Sequence, residues 1–176
     1  MRPRARLAAA ALAAALAAPY LPARAEEPAP DGWRPFTAAW TLQGTRQLLP
    51  AGGVRPAALI HVSGPFTVTG GEGLGRGFLG EVFAFDDGEA LLVGRMVFTD
   101  EKGDRIFCSA RAEALETGRK ATATITGGTG RYARLEGSFT LRWQYVVAAE
   151  SGEIGGRFTD IEGRTRVASP GREVPR

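Results

Sequence analysis

The chain has 176 residues, with 22 Lys+Arg against 19 Asp+Glu, one His and a formal net charge of +3. Its 44% hydrophobic and 23% charged content excludes wholesale disorder, and the length suits one domain. One Cys and one His exclude an intrachain disulfide and a metal site built from several cysteines or histidines.

Residues 1–25 read as a secretory signal. Arg2, Arg4 and Arg6 form a cationic start, and Leu7 to Ala18 is an apolar run. Ala23-Arg24-Ala25 gives a small-x-small cleavage pattern, so cleavage is expected after Ala25. The run is too short to span a membrane. No Cys follows it and no Arg pair precedes it, which points to the general secretory route and a periplasmic or secreted product, with no transmembrane anchor in the mature chain. Removing the arginines at 2, 4, 6 and 24 leaves 18 bases against 19 acids. The basic balance therefore belongs to the leader, and nucleic acid is not an expected partner.

Residues 26–32 form a Pro-containing lead-in, and a single domain is expected over 33–167. Its predicted strands are Phe36 to Leu49, Ala57 to Ser63, Pro65 to Thr69, Phe78 to Phe85 and Ala90 to Thr99. They continue with Arg105 to Ala112, Lys120 to Thr126, Ser138 to Val147, Gly156 to Glu162 and Thr165 to Val167. Gly64-Pro65, Asp86-Asp87-Gly88 and Asp100 to Asp104 mark breaks and turns. The last of these holds three carboxylates around a lysine, and reads as a solvated hairpin turn rather than a calcium loop. Ala110 to Leu115 has some helical character but is too short to stand alone. Residues 168–176 read as a frayed tail. In Ser138 to Val147 the residues Phe139, Leu141, Trp143, Tyr145 and Val147 share one face, the alternation of a sheet with one dry side. The whole is an all-β pattern, antiparallel sandwich or barrel, and closure of about eight strands would remove the sheet edges.

Two glycine motifs invite a nucleotide reading. Gly75 to Gly80 matches G-x-G-x-x-G, and Thr126-Gly127-Gly128-Thr129-Gly130 follows a strand. Neither leads into a helix, and the pyrophosphate of a dinucleotide needs a helix N-terminus. These glycines are turn and bulge residues, and no cofactor is expected. In a different context, Ile125-Thr126-Gly127-Gly128-Thr129-Gly130-Arg131-Tyr132 with Gly137 resembles the G-G-T-G-x-[FY]-x(4)-G signature of the allene oxide cyclase and dirigent-like β-barrels. The resemblance covers about a dozen residues. It implies an eight-stranded antiparallel, calycin-like barrel with a central cavity, and a dimer or trimer. It implies that Gly127, Gly128 and Gly130 turn a corner between two strands, that Tyr132 tucks against the barrel, and that Gly137 opens the next strand. None of the plant catalytic residues can be placed on this sequence.

Three polar residues are weak catalytic candidates. His61 lies in a strand, and as a lumen residue it could act as acid or base. Glu81 alternates with Leu79, Phe83 and Phe85, so either that face or the face of Val82 and Ala84 points inward. Inward, Glu81 would be a carboxylate among aromatics, and Arg95 could pair with it across strands. Phe83, Phe85, Trp143 and Tyr145 are the candidate ligand-binding residues. Trp33 and Trp40 could cover a barrel end, and Cys108 reads as a small buried hydrophobe. The expected function is binding of a small, mainly apolar molecule in the lumen without catalysis. The alternatives are a cyclase or isomerase acting on an unsaturated substrate there, and an envelope interaction protein with no cavity.

Overall fold

The computed structural model describes residues 32–50, 52, 55–89, 91–115 and 118–169. The expected signal segment and the last seven residues lie outside this range. No helix among the described residues is long and apolar enough to cross a membrane.

Eight strands follow one another: β1 (Arg34–Leu49), β2 (Ala57–Gly71), β3 (Gly77–Asp86), β4 (Leu91–Thr99), β5 (Arg105–Leu115), β6 (Gly118–Gly128), β7 (Leu135–Ala148) and β8 (Glu153–Val167). Each pairs antiparallel with the next, and β8 pairs with β1, so the sheet is a closed antiparallel barrel. The expected helical character of 110–115 is lost to strand β5, whose alanines face the interior at Ala110 and Ala112.

The strands form because alternate residues are apolar. In β1, Phe36, Ala38, Trp40 and Leu42 are buried while their neighbours are exposed. Trp40 is the hub of the core at 1% exposure, with ring centroids of Phe98 at 5.0 Å, Phe158 at 5.1 Å and Phe66 at 5.7 Å. It covers no barrel end, contrary to expectation; Trp33 instead lies under Arg164 and Arg166 on the outside. Each such aromatic contributes about 1.5–3 kcal/mol by leaving water. Trp40 reaches the centre because β3 passes behind it at Gly80, where an added Cβ would lie 2.5 Å from the indole. Its Nε1 donates to the Gly64 carbonyl at 3.1 Å. That contact holds β2 in register through Gly64-Pro65, and the predicted break there does not exist.

The two predicted C-terminal strands are likewise one. Against both neighbours, β8 carries one extra residue near Thr159 and Asp160. Asp160 has φ 52°, the one positive value among described non-glycine residues. This bulge switches the inward series from Ile154, Gly156 and Phe158 to Ile161, Gly163 and Thr165. The predicted split at Gly163-Arg164 does not exist, since both residues pair continuously with β1 and β7, and the bulge lies within the first predicted stretch. At the far end, Ala168 is buried and exchanges hydrogen bonds with Arg134, so the expected fraying does not begin there.

Candidate functional site

The glycine signature forms the corner between β6 and β7. Gly127 and Gly128 end β6, and Gly130 to Tyr132 make a single 3-10 turn. Tyr132 is 4% exposed and packs on Phe78 with centroids 5.7 Å apart. Gly137 is the third residue of β7 rather than its opening, because pairing with β8 already begins at Leu135. The corner also holds a contact that the sequence did not signal. Asp100, in the β4–β5 turn, is 7% exposed and forms an ion pair with Arg131. It accepts backbone amides from Lys102 at 2.8 Å and Asp104 at 3.0 Å. Burial pushes the Asp100 carboxyl up, but the bonds from Lys102, Arg131, Asp104 and Tyr132 outweigh it and hold it below the ordinary carboxylate range. The turn expected to be solvated is thus a clasp between two strand connections, with no metal-like grouping of carboxylates among the described residues.

The barrel interior divides into two halves. Around Phe36, Phe66, Phe78, Phe98 and Phe139 it is packed with rings in edge and tilted contacts. Toward the other end the inward residues shrink to Ala84, Gly94, Ala110, Ala112 and Ala121. There an apolar chamber of about 50 Å³ opens, walled also by Met96, Trp143, Tyr145, Ile154 and Phe158. Trp143 packs edge-on against Phe158 at 5.0 Å and Tyr145 at 5.2 Å. It lies flat on the wall because its neighbour is Gly156, where a Cβ would come within 2.5 Å of the ring. Of the four expected ligand-binding residues, the structure brings Trp143 and Tyr145 together here, with Tyr145 48% exposed at the mouth.

Phe83 and Phe85 are not with them. They are 52% and 40% exposed on the outer face, since Val82 and Ala84 take the inward positions. The physical reason is phase: Phe78 and Gly80 face the lumen beside Trp40 and Phe98, and unbroken alternation along β3 then carries Val82 and Ala84 inward. Glu81 shares the outer phase and is half-buried, while His61 and Arg95 are exposed on the same outside surface. The His61 ring stacks on Phe83 at 4.2 Å and its Nε2 lies 3.8 Å from Glu81. Glu81 and Arg95 stand diagonally on β3 and β4 rather than opposite each other. All three catalytic candidates thus gather beside Phe83 and Phe85, and none enters the lumen.

A charged side chain on the inward phase, which the sequence did not signal, is Arg46. It continues the inward series of Trp40 and Leu42 and could have been found by extending that phase. Its guanidinium carbon lies 6.0 Å from the Tyr145 ring, and its Nε is buried with no hydrogen-bond partner among the described residues. Cys108 is 1% exposed in the packed half, and burial pushes its thiol up to about 12.

No protein-family model and no curated protein matches this chain. Among solved structures it is similar to the pterocarpan synthase dirigent protein PsPTS1, at 17% identity and TM-score 0.44, over 76% of this chain and 97% of that one. It is similar also to the pterocarpan synthase dirigent protein GePTS1, at 17% identity and TM-score 0.45, over 76% and 89% of the two chains. The closed eight-stranded antiparallel barrel stands on the strand pairing itself, with the strands in chain order.

Proposed function

We propose that the protein binds a small, mainly apolar molecule at the open end of its barrel without transforming it, in a periplasmic or extracellular setting. The observation that carries this reading is the change in side-chain size along the lumen. Five alanine and glycine positions leave a dry chamber where bulky residues would have closed it. A volume of about 50 Å³ takes one small branched or ring-edge group. The rest of the ligand would lie over Trp143 and Tyr145 at the mouth. The chamber lining holds no titratable group but the Tyr145 phenol, which leaves little for acid–base chemistry. Cyclase or isomerase action inside the barrel drew its support from Glu81 or His61, and both face outward. Arg46 offers the ligand one buried donor, whose lack of a partner is costly in the free protein.

The test is binding by the purified protein. An apolar aromatic probe such as naphthalene is titrated against Trp fluorescence, and organic extracts of the protein are analysed by mass spectrometry. Saturable binding is expected, weakened about tenfold or more by Ala112→Leu, which fills the chamber. Phe83→Glu, on the outer face, should leave it unchanged. No binding by the parent protein, or undiminished binding by Ala112→Leu, defeats the reading.

A further inference from the structure

Several arginines of the barrel are tied to acceptors. Arg55 donates to the Gly88 and Glu89 carbonyls, and Arg157 donates to the Gln144 side chain. Arg131 pairs with Asp100, and Arg166 with Glu136. Arg46, on the inward phase of β1, has none. It is half-buried and its Nε is shut off from water. Among the described residues no carboxylate, carbonyl or hydroxyl accepts from its side chain. A cation held in this way is costly until an acceptor arrives.

The backbone fixes where this cation stands. The Arg46 amide donates to the Gly152 carbonyl at 2.7 Å, which locks it to the turn between β7 and β8. Gly152 has φ 92°, and a Cβ there would lie 2.9 Å from the Arg46 carbonyl oxygen, so the turn closes tightly on this residue. Register sets Arg46 beside Ile60, and the inward position before it, Gly44, beside Val62 and Ile154. All three of those neighbours line the chamber. Gly44 carries no side chain, so β1 itself puts nothing between the guanidinium and that wall. Tyr145 touches both environments: its ring centre lies 5.2 Å from that of Trp143 and 6.0 Å from the guanidinium carbon of Arg46.

A molecule with its apolar body in the chamber and over Trp143 therefore ends near one cation. A guanidinium presents parallel N–H groups that match the two oxygens of a carboxylate. The chamber lining holds no second cation to balance a doubly charged phosphate. We propose that the ligand is a carboxylic acid bound as its anion, with a compact branched or ring-shaped body in the chamber and its carboxylate on Arg46. This rests on the reading of the chamber as a ligand site and adds the charge that the ligand carries. The ligand supplies the acceptor that the chain itself withholds.

The experiment is isothermal titration calorimetry of the purified protein with 2-naphthoate and 2-naphthamide, alongside the naphthalene titration. The first two share a shape and differ in charge. Naphthoate should bind about tenfold or more tightly than naphthamide. In Arg46→Met the ratio of the two affinities should fall to about one. Arg46→Lys, which keeps the charge but loses the fork, should retain part of the preference. Should Arg46→Met not fold, the preference of the parent and its reduction in Arg46→Lys decide. Equal affinities in the parent overturn the inference and leave a chamber for neutral ligands. A naphthoate preference that survives in Arg46→Met overturns it as well, as does 2-naphthyl phosphate bound more tightly than naphthoate. If none of these probes binds, the chamber reading fails together with the inference.

Discussion

Replacing Gly80 by alanine tests the central packing argument. The added Cβ would lie 2.5, 2.7 and 2.9 Å from Cζ2, Cε2 and Nε1 of Trp40. The indole has no room to retreat, since Phe66, Phe98 and Phe158 surround it and its Nε1 is tied to Gly64. Overpacking of this kind costs about 1–3 kcal/mol. A displaced indole also strands a buried donor, at about 1–3 kcal/mol. The combined expectation is a loss of roughly 2–4 kcal/mol, allowing for partial relaxation. Urea unfolding followed by tryptophan fluorescence and circular dichroism measures it. Gly77→Ala is the control, because nothing lies within 4 Å of a Cβ there and its φ is ordinary. Adding Trp40→Phe to Gly80→Ala should recover part of the loss, a coupling that marks direct contact. A Gly80→Ala protein within about 0.5 kcal/mol of the parent would refute the reasoning.

Asp100→Asn keeps an oxygen for the turn amides but removes the charge facing Arg131. It should lower the thermal midpoint at neutral pH. The native pKa of Asp100 is depressed, so its stabilisation is complete above the unfolded value and is lost as pH falls through the native one. The gap between variant and parent should therefore close in acid below the ordinary carboxylate range; a gap independent of pH would contradict the ion pair. Cys108 should resist thiol reagents in the native state, since its thiol ionises only near 12 and is buried, and should label at the rate of unfolding. Full labelling within minutes in the absence of denaturant would contradict its burial. Because its native value is raised, this thiol adds stability below its unfolded pKa and loses it as pH climbs through the native one.

Much of the barrel was legible because its alternation is local. Phe139, Leu141 and Trp143 announce the inward face of β7, which Tyr145 carries to the mouth, whereas Val147 lies past a register shift and is exposed; the glycine signature marks its own corner. What failed was information that belongs to the far side of the lumen. Whether Phe83 or Val82 points inward depends on the phase that Gly80 takes against Trp40, which is about forty residues away in sequence. The bulge at Asp160 went unseen within a stretch predicted as one strand, since it reverses the inward phase without any turn residue to mark it. Arg46 escaped notice because a charged residue on an inward phase reads as an interruption rather than as the rim of a chamber. The clasp of Asp100 on Arg131 joins two turns, and neither turn alone predicts the other.

The seam between β1 and β8 has a consequence for how the molecule comes into being. Every other pairing joins strands that leave the ribosome or a translocation channel in succession, whereas Arg34 must wait for Thr165. Until the final fifteen-residue strand arrives, the nascent sheet carries two open margins, a template for pairing with other unfinished chains. The interval before sealing is the period in which a holding chaperone would matter most. A transcript truncated ahead of β8 would yield a sticky open sheet in place of a smaller barrel. The last seventh of the chain therefore acts as a quality checkpoint for all that precedes it.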